Sequence, residues 1–192
     1  HWEAKEPFYN PESYMTHECP DLFKLGNKWY LVYSTFSEKF VTHYRMSDKL
    51  SGPWTSPIED TFDGRAFYAA KTAQVGDKRM AFAWVPTKRG ESDFGQYEWG
   101  GNFIAHEIDQ TTDNKLTVKP ADGLINMFNK EAVNEKINKV EIENFEGEKS
   151  YVINGMKETC MIEAVIEFSE GVRSFGIGLR QDLVLANGYY LR

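Results

Sequence analysis

The chain has 192 residues, of which 41% are hydrophobic, and it carries a formal net charge of −7. This length accommodates one domain with a core, or one domain and part of a second. The negative charge argues against a phosphate-backbone binder, so we expect no nucleic-acid partner. No apolar run is long enough to span a bilayer, so no membrane partner is expected. The sequence does not fix the location: a bacterial cytoplasmic or a secreted protein is open, with the cytoplasm favoured.

The chain has two cysteines, Cys19 and Cys160, which lie far apart in the sequence. They form neither a disulfide framework nor a paired zinc motif. No histidine pair at ligand spacing and no calcium-loop pattern occurs in the sequence, so we expect no metal and no other cofactor.

Aromatic residues make up 15% of the sequence, and many of them stand in short alternating runs. This pattern favours an all-β fold in which most of the rings fill the core. Aromatic faces also pack against the apolar C–H face of sugar rings, so a sugar-binding cleft is a second use for some of them.

The first third of the chain predicts short strands joined by turns. Residues 21–25 and 28–34 are predicted to pair as a hairpin about the Gly-Asn turn at residues 26–27. Val41–Ser47 is a predicted third strand, and the Ser-Gly-Pro-Trp segment at residues 51–54 predicts a turn leading to a short edge strand.

The same arrangement then starts again. Residues 67–74 and 78–85 flank a Gly-Asp turn, and residues 101–108 and 116–119 complete a second set. Two successive four-stranded units are typical of propeller blades, and we predict the last two blades of a five-bladed β-propeller. Because two blades cannot close a propeller, we expect the other blades to come from sequence outside this chain.

The pattern changes after the second unit. Residues 1–123 are interpreted as the propeller part, residues 124–138 as a short helix or linker, and residues 139–192 as the start of a C-terminal β-sandwich. The predicted strands of that last part are residues 140–143, 160–168, 173–180 and 183–191. A final apolar strand would leave an open sheet edge, which is a second reason to expect an incomplete chain.

The sharpest feature is the His-Glu-Cys-Pro-Asp-Leu-Phe segment at residues 17–23. Glu18 stands at the start of a predicted strand, just before Pro20, which cannot donate to a strand ladder. Strand starts near a propeller axis point into its central funnel, where packed neighbours shield a carboxylic acid that could act as a general acid. A strand cap or a surface glutamate is the alternative reading.

Residues 18–23 resemble the acid/base motif of glycoside hydrolase family 32, the family of invertases, levanases and inulinases. Further segments resemble later motifs of that family in the same order: residues 29–34, 67–69, 83–84, 99–101 and 116–120. The resemblance implies a five-bladed propeller followed by a β-sandwich. It also implies retaining hydrolysis of β-fructofuranosidic bonds in sucrose or fructans, so the expected partner is a carbohydrate.

By this resemblance, Glu18 is the acid/base that protonates the leaving oxygen and later deprotonates water. Tyr68 and Trp99 would help to line the fructosyl pocket. Lys71 could bring a positive charge to the rim of the cleft, although a solvated strand residue is the alternative. His17 could orient Glu18 or contact a sugar hydroxyl, although neighbours in a regular strand point to opposite faces.

Other polar residues are expected to have structural roles. Asp21 should point away from Glu18 and serve the fold. Cys19 is expected to be a small buried hydrophobic side chain rather than a nucleophile. His43 and His106 are expected to be ordinary strand residues.

The sequence also departs from the family pattern. The nucleophile motif of the type Trp-x-Asn-Asp-Pro-Asn and the Arg-Asp-Pro motif do not occur, and Arg65-Ala66 precedes the Phe-Tyr-Ala segment where the family usually has Asp. A retaining mechanism needs two carboxyl groups, so we expect this chain alone to be inactive. A complementing chain or a homo-oligomer could supply the missing group.

Two other functions stay open at this point. A propeller glycosidase acting on arabinofuranosides or xylosides also places a glutamate at a strand start, but usually in a Glu-Gly-Pro context, so Cys19 favours the fructosidase. A non-catalytic carbohydrate-binding module would explain the missing nucleophile motif, but it has no need for an intact Glu-Cys-Pro segment.

Overall fold

The computed structural model describes residues 1–37, 40–129, 151–168, 170–172, 174–180 and 188–191. Within these residues the fold consists of nine strands, one short 3₁₀ turn and one four-residue helix, so the all-β prediction is confirmed. The chain divides into two compact units, residues 1–129 and residues 130–192. No helix in the described part of the chain is long and apolar enough to cross a membrane.

Sheet A is formed by β1 (Glu18–Leu25), β2 (Lys28–Thr35) and β3 (Val41–Ser47), which pair antiparallel in chain order. The predicted hairpin is present, and Gly26 supplies the positive φ of 57° that its two-residue turn requires.

The predicted fourth strand of sheet A is wrong. The segment after Trp54 makes only two isolated bridges, Met46 with Thr55 and His43 with Thr61. Pro53 and Pro57 lack the N–H groups that a continuous ladder needs, so this segment touches the sheet edge without forming a strand.

Sheet B has the four strands that the sequence predicts, β4 (Tyr68–Val75), β5 (Lys78–Lys88), β6 (Tyr97–Gln110) and β7 (Leu116–Pro120). They pair antiparallel in chain order. Strands β5 and β6 run further than predicted, because their pairing continues past an irregularity between Pro86 and Lys88. Sheets A and B are the two blade-like units of a partial propeller.

The core of the first unit lies between the two sheets. Sheet A contributes mainly large rings, whereas sheet B contributes three alanines together with Ile108 and Leu116, so rings of one sheet face small aliphatic side chains of the other. The buried cluster consists of Phe23, Tyr30, Val32, Tyr44, Phe62, Phe67, Ala70, Ala81, Ala83, Ile108 and Leu116. Burying each of its large side chains is worth about 1.5–3 kcal/mol, which makes this cluster the main stabilisation of the unit.

The first strand of each sheet, β1 and β4, contains a β-bulge that the sequence does not reveal. The register of β1 against β2 shifts between Glu18 and Asp21, and the register of β4 against β5 shifts between Tyr68 and Lys71. A bulge inserts an extra residue and re-aims the side chains beside it. The two bulges therefore set where the first residues of β1 and β4 point.

Helix α1 (Asp122–Ile125) follows sheet B, and the rest of the predicted helix from residue 130 onward lies outside the described residues. The second unit contains an antiparallel pair, β8 (Ile177–Leu179) and β9 (Tyr189–Leu191), which confirms the ends of two predicted strands.

The predicted strand at residues 160–168 is wrong. These residues are exposed and not part of a strand, because alternation alone does not supply a partner for the backbone hydrogen bonds. The predicted strand at residues 140–143 and most of the one at 183–191 lie outside the described residues. The β-sandwich, the linker and the domain boundaries remain predictions.

Candidate active site

The two bulges bring together the first residues of β1 and β4, which lie fifty positions apart in the chain. The Tyr68 hydroxyl donates a hydrogen bond to Oε2 of Glu18. Glu18 is half-buried, as a residue at the mouth of a cleft would be, whereas Tyr68 is 1% exposed. The structure therefore pairs the predicted acid/base with a predicted pocket residue.

The environment of Tyr68 keeps its phenol protonated. Burial raises the pKa of Tyr68 well above its usual value, and the hydrogen bond and negative charge of Glu18 raise it further. The hydroxyl therefore remains a donor to the Glu18 carboxylate throughout the neutral pH range.

Aromatic rings pack around Tyr68. Phe40 stacks on Tyr68 with ring centroids 4.2 Å apart, and Trp84 and Trp99 meet the same ring edge-on at 5.5 and 5.6 Å. Phe36 and Tyr97 extend the group through contacts with Trp99 and Phe40. This aromatic cluster, which comprises Phe36, Phe40, Tyr68, Trp84, Tyr97 and Trp99, is open to solvent at Trp99, which is 69% exposed.

Unusual backbone conformations occur at the site. Cys19, Phe40, Ala66 and Ala69 have positive φ values of 49°, 57°, 76° and 55°. For residues with a Cβ this region costs on the order of 1–3 kcal/mol each, and such residues cluster at functional sites. Two of the four lie in the bulges next to Glu18 and Tyr68, so the bulge conformation is what aims these two side chains.

Two hydrogen bonds that involve side chains join β1 to β4 next to the bulges. The Lys71 Nζ donates to the Pro20 carbonyl oxygen at 2.6 Å, and Oδ2 of Asp21 accepts the Thr72 N–H at 2.6 Å. Asp21 thus has the structural role that we predicted. Lys71 is exposed, and its bond to Pro20 holds the ammonium beside the β1 bulge. Its predicted contact with substrate stays a prediction.

His17 packs among aromatic rings. Its imidazole lies 4.6 Å from the ring of Tyr33, 5.6 Å from that of Tyr14 and 5.8 Å from that of Tyr9. These contacts anchor the segment that leads into Glu18. The predicted orientation of Glu18 by His17, or its contact with a sugar, stays a prediction.

The other histidines are strand residues, as expected, but each is paired with a carboxylate. His43 Nδ1 lies 3.1 Å from Oδ1 of Asp60, and His106 Nε2 lies 2.8 Å from Oδ2 of Asp63. The expectation that Cys19 is buried is wrong, because the thiol-bearing residue at the β1 bulge is exposed. The inserted bulge residue is not held in the alternating pattern that would have buried it.

Sequence reasoning missed part of the aromatic cluster. Phe40 and Phe36 belong to the connection between β2 and β3, where no periodicity signals a role. Trp84 stood in a segment of the family resemblance, which was the signal that could have marked it, whereas its position opposite Tyr68 depends on the bulge. The bulges themselves had no sequence signal.

An all-β unit that presents a carboxylate and a half-open group of aromatic rings is typical of proteins that act on carbohydrates. The chain belongs to glycoside hydrolase family 32, since the family model described as "Glycosyl hydrolases family 32 N-terminal domain" matches residues 1–120. The matched region contains both sheets and the whole candidate site. The resemblance drawn from the sequence is therefore confirmed at the level of the family.

Two solved structures show partial similarity. A protein described as a glycoside hydrolase is 19% identical, with a TM-score of 0.42, over 58% of this chain and 26% of that chain. An exo-β-1,3-galactanase from Clostridium thermocellum is 15% identical, with a TM-score of 0.36, over 53% of this chain and 23% of that chain. The chain spans about a quarter of the length of the structures it matches.

Proposed function

We propose that the protein to which this chain belongs is a retaining glycosidase that cleaves β-fructofuranosidic bonds in sucrose or fructans. The observation that carries the proposal is the Glu18–Tyr68 hydrogen bond at the edge of the aromatic cluster, inside the region that matches the family. Family membership supports a glycosidase, and the Glu-Cys-Pro context of Glu18 favours a fructoside over an arabinofuranoside or xyloside.

In this proposal Glu18 works twice. It first donates its proton to the glycosidic oxygen while an aspartate attacks the anomeric carbon, and the leaving group departs as an alcohol. The ionised Glu18 then takes a proton from water, and the resulting hydroxide releases the fructosyl group from the enzyme. In both steps the Tyr68 hydroxyl would hold the Glu18 carboxyl group in one orientation, because it is a buried donor bonded to Oε2.

The aromatic cluster would bind the sugar. Trp99 offers the most exposed ring of the cluster and is placed to pack against the apolar face of a fructosyl unit, with Tyr68 beneath it. Lys71 and His17 are proposed substrate contacts at the rim. Because Lys71 already donates to Pro20, a substrate hydroxyl would share an ammonium that the protein has positioned.

The nucleophile is the part of this mechanism that the sequence lacks. Its 192 residues contain no motif of the Trp-x-Asn-Asp-Pro-Asn type, and a single acid/base carboxyl cannot complete a retaining reaction. We therefore propose that this chain alone does not turn over substrate, and that the aspartate comes from other sequence, from a complementing chain or from a second copy.

The test is Glu18→Gln in the whole protein, which preserves shape and removes the proton donor. We expect kcat/KM on sucrose to fall about 10²–10⁴-fold. On an aryl β-fructofuranoside whose leaving group needs no protonation, the rate of the first step should fall much less. Glu59→Gln, at an exposed position in the connection after β3, is the matched control and should leave both rates unchanged.

Unchanged sucrose turnover in Glu18→Gln would refute the catalytic assignment. If the wild-type protein hydrolyses an aryl arabinofuranoside but not sucrose, the substrate is an arabinofuranoside rather than a fructoside. Binding of fructans without any turnover would favour the carbohydrate-binding module.

A further inference from the structure

A buried relay of hydroxyl groups connects sheet A to the strand that carries Tyr68. The Ala69 N–H donates to Ser34 Oγ at 3.0 Å, Ser34 Oγ lies 2.9 Å from Thr42 Oγ1, and Thr42 Oγ1 donates to the Phe67 carbonyl oxygen at 2.9 Å. Ser34 and Thr42 both have 0% exposure, so water does not compete for these bonds.

The direction of the middle bond follows from the proton count. A threonine hydroxyl has one proton, and Thr42 donates it to the Phe67 carbonyl. Ser34 must therefore donate to Thr42 while it accepts the Ala69 N–H. The relay runs in one direction from one peptide group to another, and every donor in it is used.

The two peptide groups at the ends of the relay are those on either side of Tyr68. The bulge removes this part of β4 from regular pairing with β5, so the relay takes the place of ladder bonds that the bulge leaves unmade. The backbone of Ser34 is also the register partner of Glu18. One residue thus links the backbone position of Glu18 to the backbone position of Tyr68.

We propose that Ser34 and Thr42 are positioning residues that fix the Tyr68 hydroxyl against the Glu18 carboxylate. This proposal rests on the function proposed above, because it gives Tyr68 a role in the reaction. The relay touches the peptide groups flanking Tyr68 and has no described contact with the open side of the aromatic cluster. Its loss should therefore change the chemical step more than substrate binding.

The chain contains a matched control for a buried hydroxyl. Thr35 follows Ser34 in β2 and has 0% exposure, and within the described residues its Oγ1 has no hydrogen-bond partner. Thr35→Val and Thr42→Val replace the same atoms in neighbouring buried positions. Only Thr42→Val breaks the relay.

The experiment compares these variants in the whole protein on sucrose. We expect Thr42→Val to lower kcat about 3–30-fold with KM nearly unchanged, while Thr42→Ser, which keeps the hydroxyl, stays within about twofold of wild type. The value of kcat/KM should fall by the same factor as kcat, because a misplaced Tyr68 no longer orients the Glu18 carboxyl group for the chemical step. Thr35→Val should match wild type in all three measurements.

A double-mutant cycle shows whether the effect passes through Tyr68. In a Tyr68→Phe background, Thr42→Val should lower kcat by less than about twofold further, since the group it positions is already gone. Additive losses would overturn the proposal, and so would an equal loss in Thr35→Val. Ser34→Ala, which removes one atom from the other end of the relay, replaces Thr42→Val in the cycle if that variant does not fold.

Amide hydrogen exchange separates this proposal from the proposed function. Exchange of the Ala69 N–H should be about tenfold faster in Ser34→Ala, whatever reaction the protein catalyses. Unchanged exchange would mean that the relay is not formed. Faster exchange with normal kcat, in a protein that Glu18→Gln inactivates, would reduce the relay to a structural role. Normal activity of Glu18→Gln would instead refute the proposed function.

Discussion

The two sheets begin with the same bulge, but the strands behind it are buried differently. In sheet A, residues 30–35 and 41–45 are all buried, so β2 and β3 are covered on both faces. In sheet B, the face that carries Phe82 and Phe103 is open, and Phe103 is 70% exposed. Similar backbone units are therefore used in different surroundings.

The difference in burial suits sheet A to holding residues rigidly and sheet B to exposing rings to a ligand. In a sheet covered on both faces a buried polar side chain without a partner, such as Thr35, is costly, whereas a hydrogen-bonded one is held rigidly. Sheet A accordingly contains the buried Ser34, Thr42 and Arg45, whose bonds fix neighbouring segments. Sheet B can leave rings such as Trp99 exposed and available to a ligand. Sheet A holds Glu18, the proposed acid/base, whereas sheet B supplies most of the rings of the aromatic cluster.

Asp60→Asn should give the largest effect, since it breaks the buried polar packing of sheet A. Asp60 contacts Arg45, His43 and Ser56, and the Arg45 Nε in turn donates to the Tyr9 hydroxyl at 3.1 Å. Removing the carboxylate leaves a buried guanidinium uncompensated, so we expect the free energy of unfolding to fall by about 3 kcal/mol. Urea unfolding at neutral pH measures it.

An exposed ion pair provides the control for that variant. Asp48, whose side chain is 77% exposed, lies 2.6 Å from the Lys28 ammonium. Asp48→Asn should cost less than about 1 kcal/mol, because solvent screens such a pair. Equal losses in the two variants would show that the two-sided cover of sheet A does not strengthen its charges.

The same carboxylate predicts a pH dependence. Burial alone would raise the pKa of Asp60, but the hydrogen bonds and charges of His43 and Arg45 outweigh it and lower the pKa from 3.8 to about 2. A lowered pKa means that this stabilisation is complete above about pH 4 and is lost as the pH falls towards 2. The loss amounts to about 2 kcal/mol, and it should be absent from Asp60→Asn.

Features that depend on neighbouring residues could be predicted from the sequence, whereas features that depend on distant segments could not. The hairpin turns at Gly26 and Gly76 depend on a few neighbouring residues, so the pattern located both. Glu18 was found through a short motif. The bulge at Ala69 and the approach of Phe40 to Tyr68 depend on packing between distant segments, and no local rule contains that information. Alternation at residues 160–168 misled because it does not guarantee a partner strand.

Tyr68→Phe should have the next largest effect, and it tests the sheet B residue that donates a hydrogen bond to Glu18, the proposed acid/base. The ring and its contacts with Phe40 and Trp99 remain, and only the hydrogen bond to Glu18 is lost. A bond to a charged group is worth about 1.5–3 kcal/mol, so kcat/KM on sucrose should fall about 10–100-fold. Thermal unfolding should be nearly unchanged.

Tyr97→Phe is the control for that change. Tyr97 belongs to the same aromatic cluster and stacks on Phe40 at 6.0 Å, but its hydroxyl has no described bond to Glu18. We expect kcat/KM within about threefold of wild type. A loss as large as that of Tyr68→Phe would mean that the cluster binds substrate through its hydroxyls and that the Glu18 contact is incidental.

Ala69→Gly gives the smallest effect and tests the feature that the two sheets share. At its φ of 55°, replacing Ala69 with glycine relieves about 1–2 kcal/mol of strain. The greater freedom of glycine in the unfolded chain offsets about 0.5–1 kcal/mol of that gain. We therefore expect a net stabilisation of about 0.5 kcal/mol, measured by urea unfolding. The same change at Ala73, in the regular part of β4, lacks the strain and should destabilise by about 0.5–1 kcal/mol. Opposite signs at two alanines of one strand would establish that the bulge is strained, and equal losses would show that Ala69 carries no such strain.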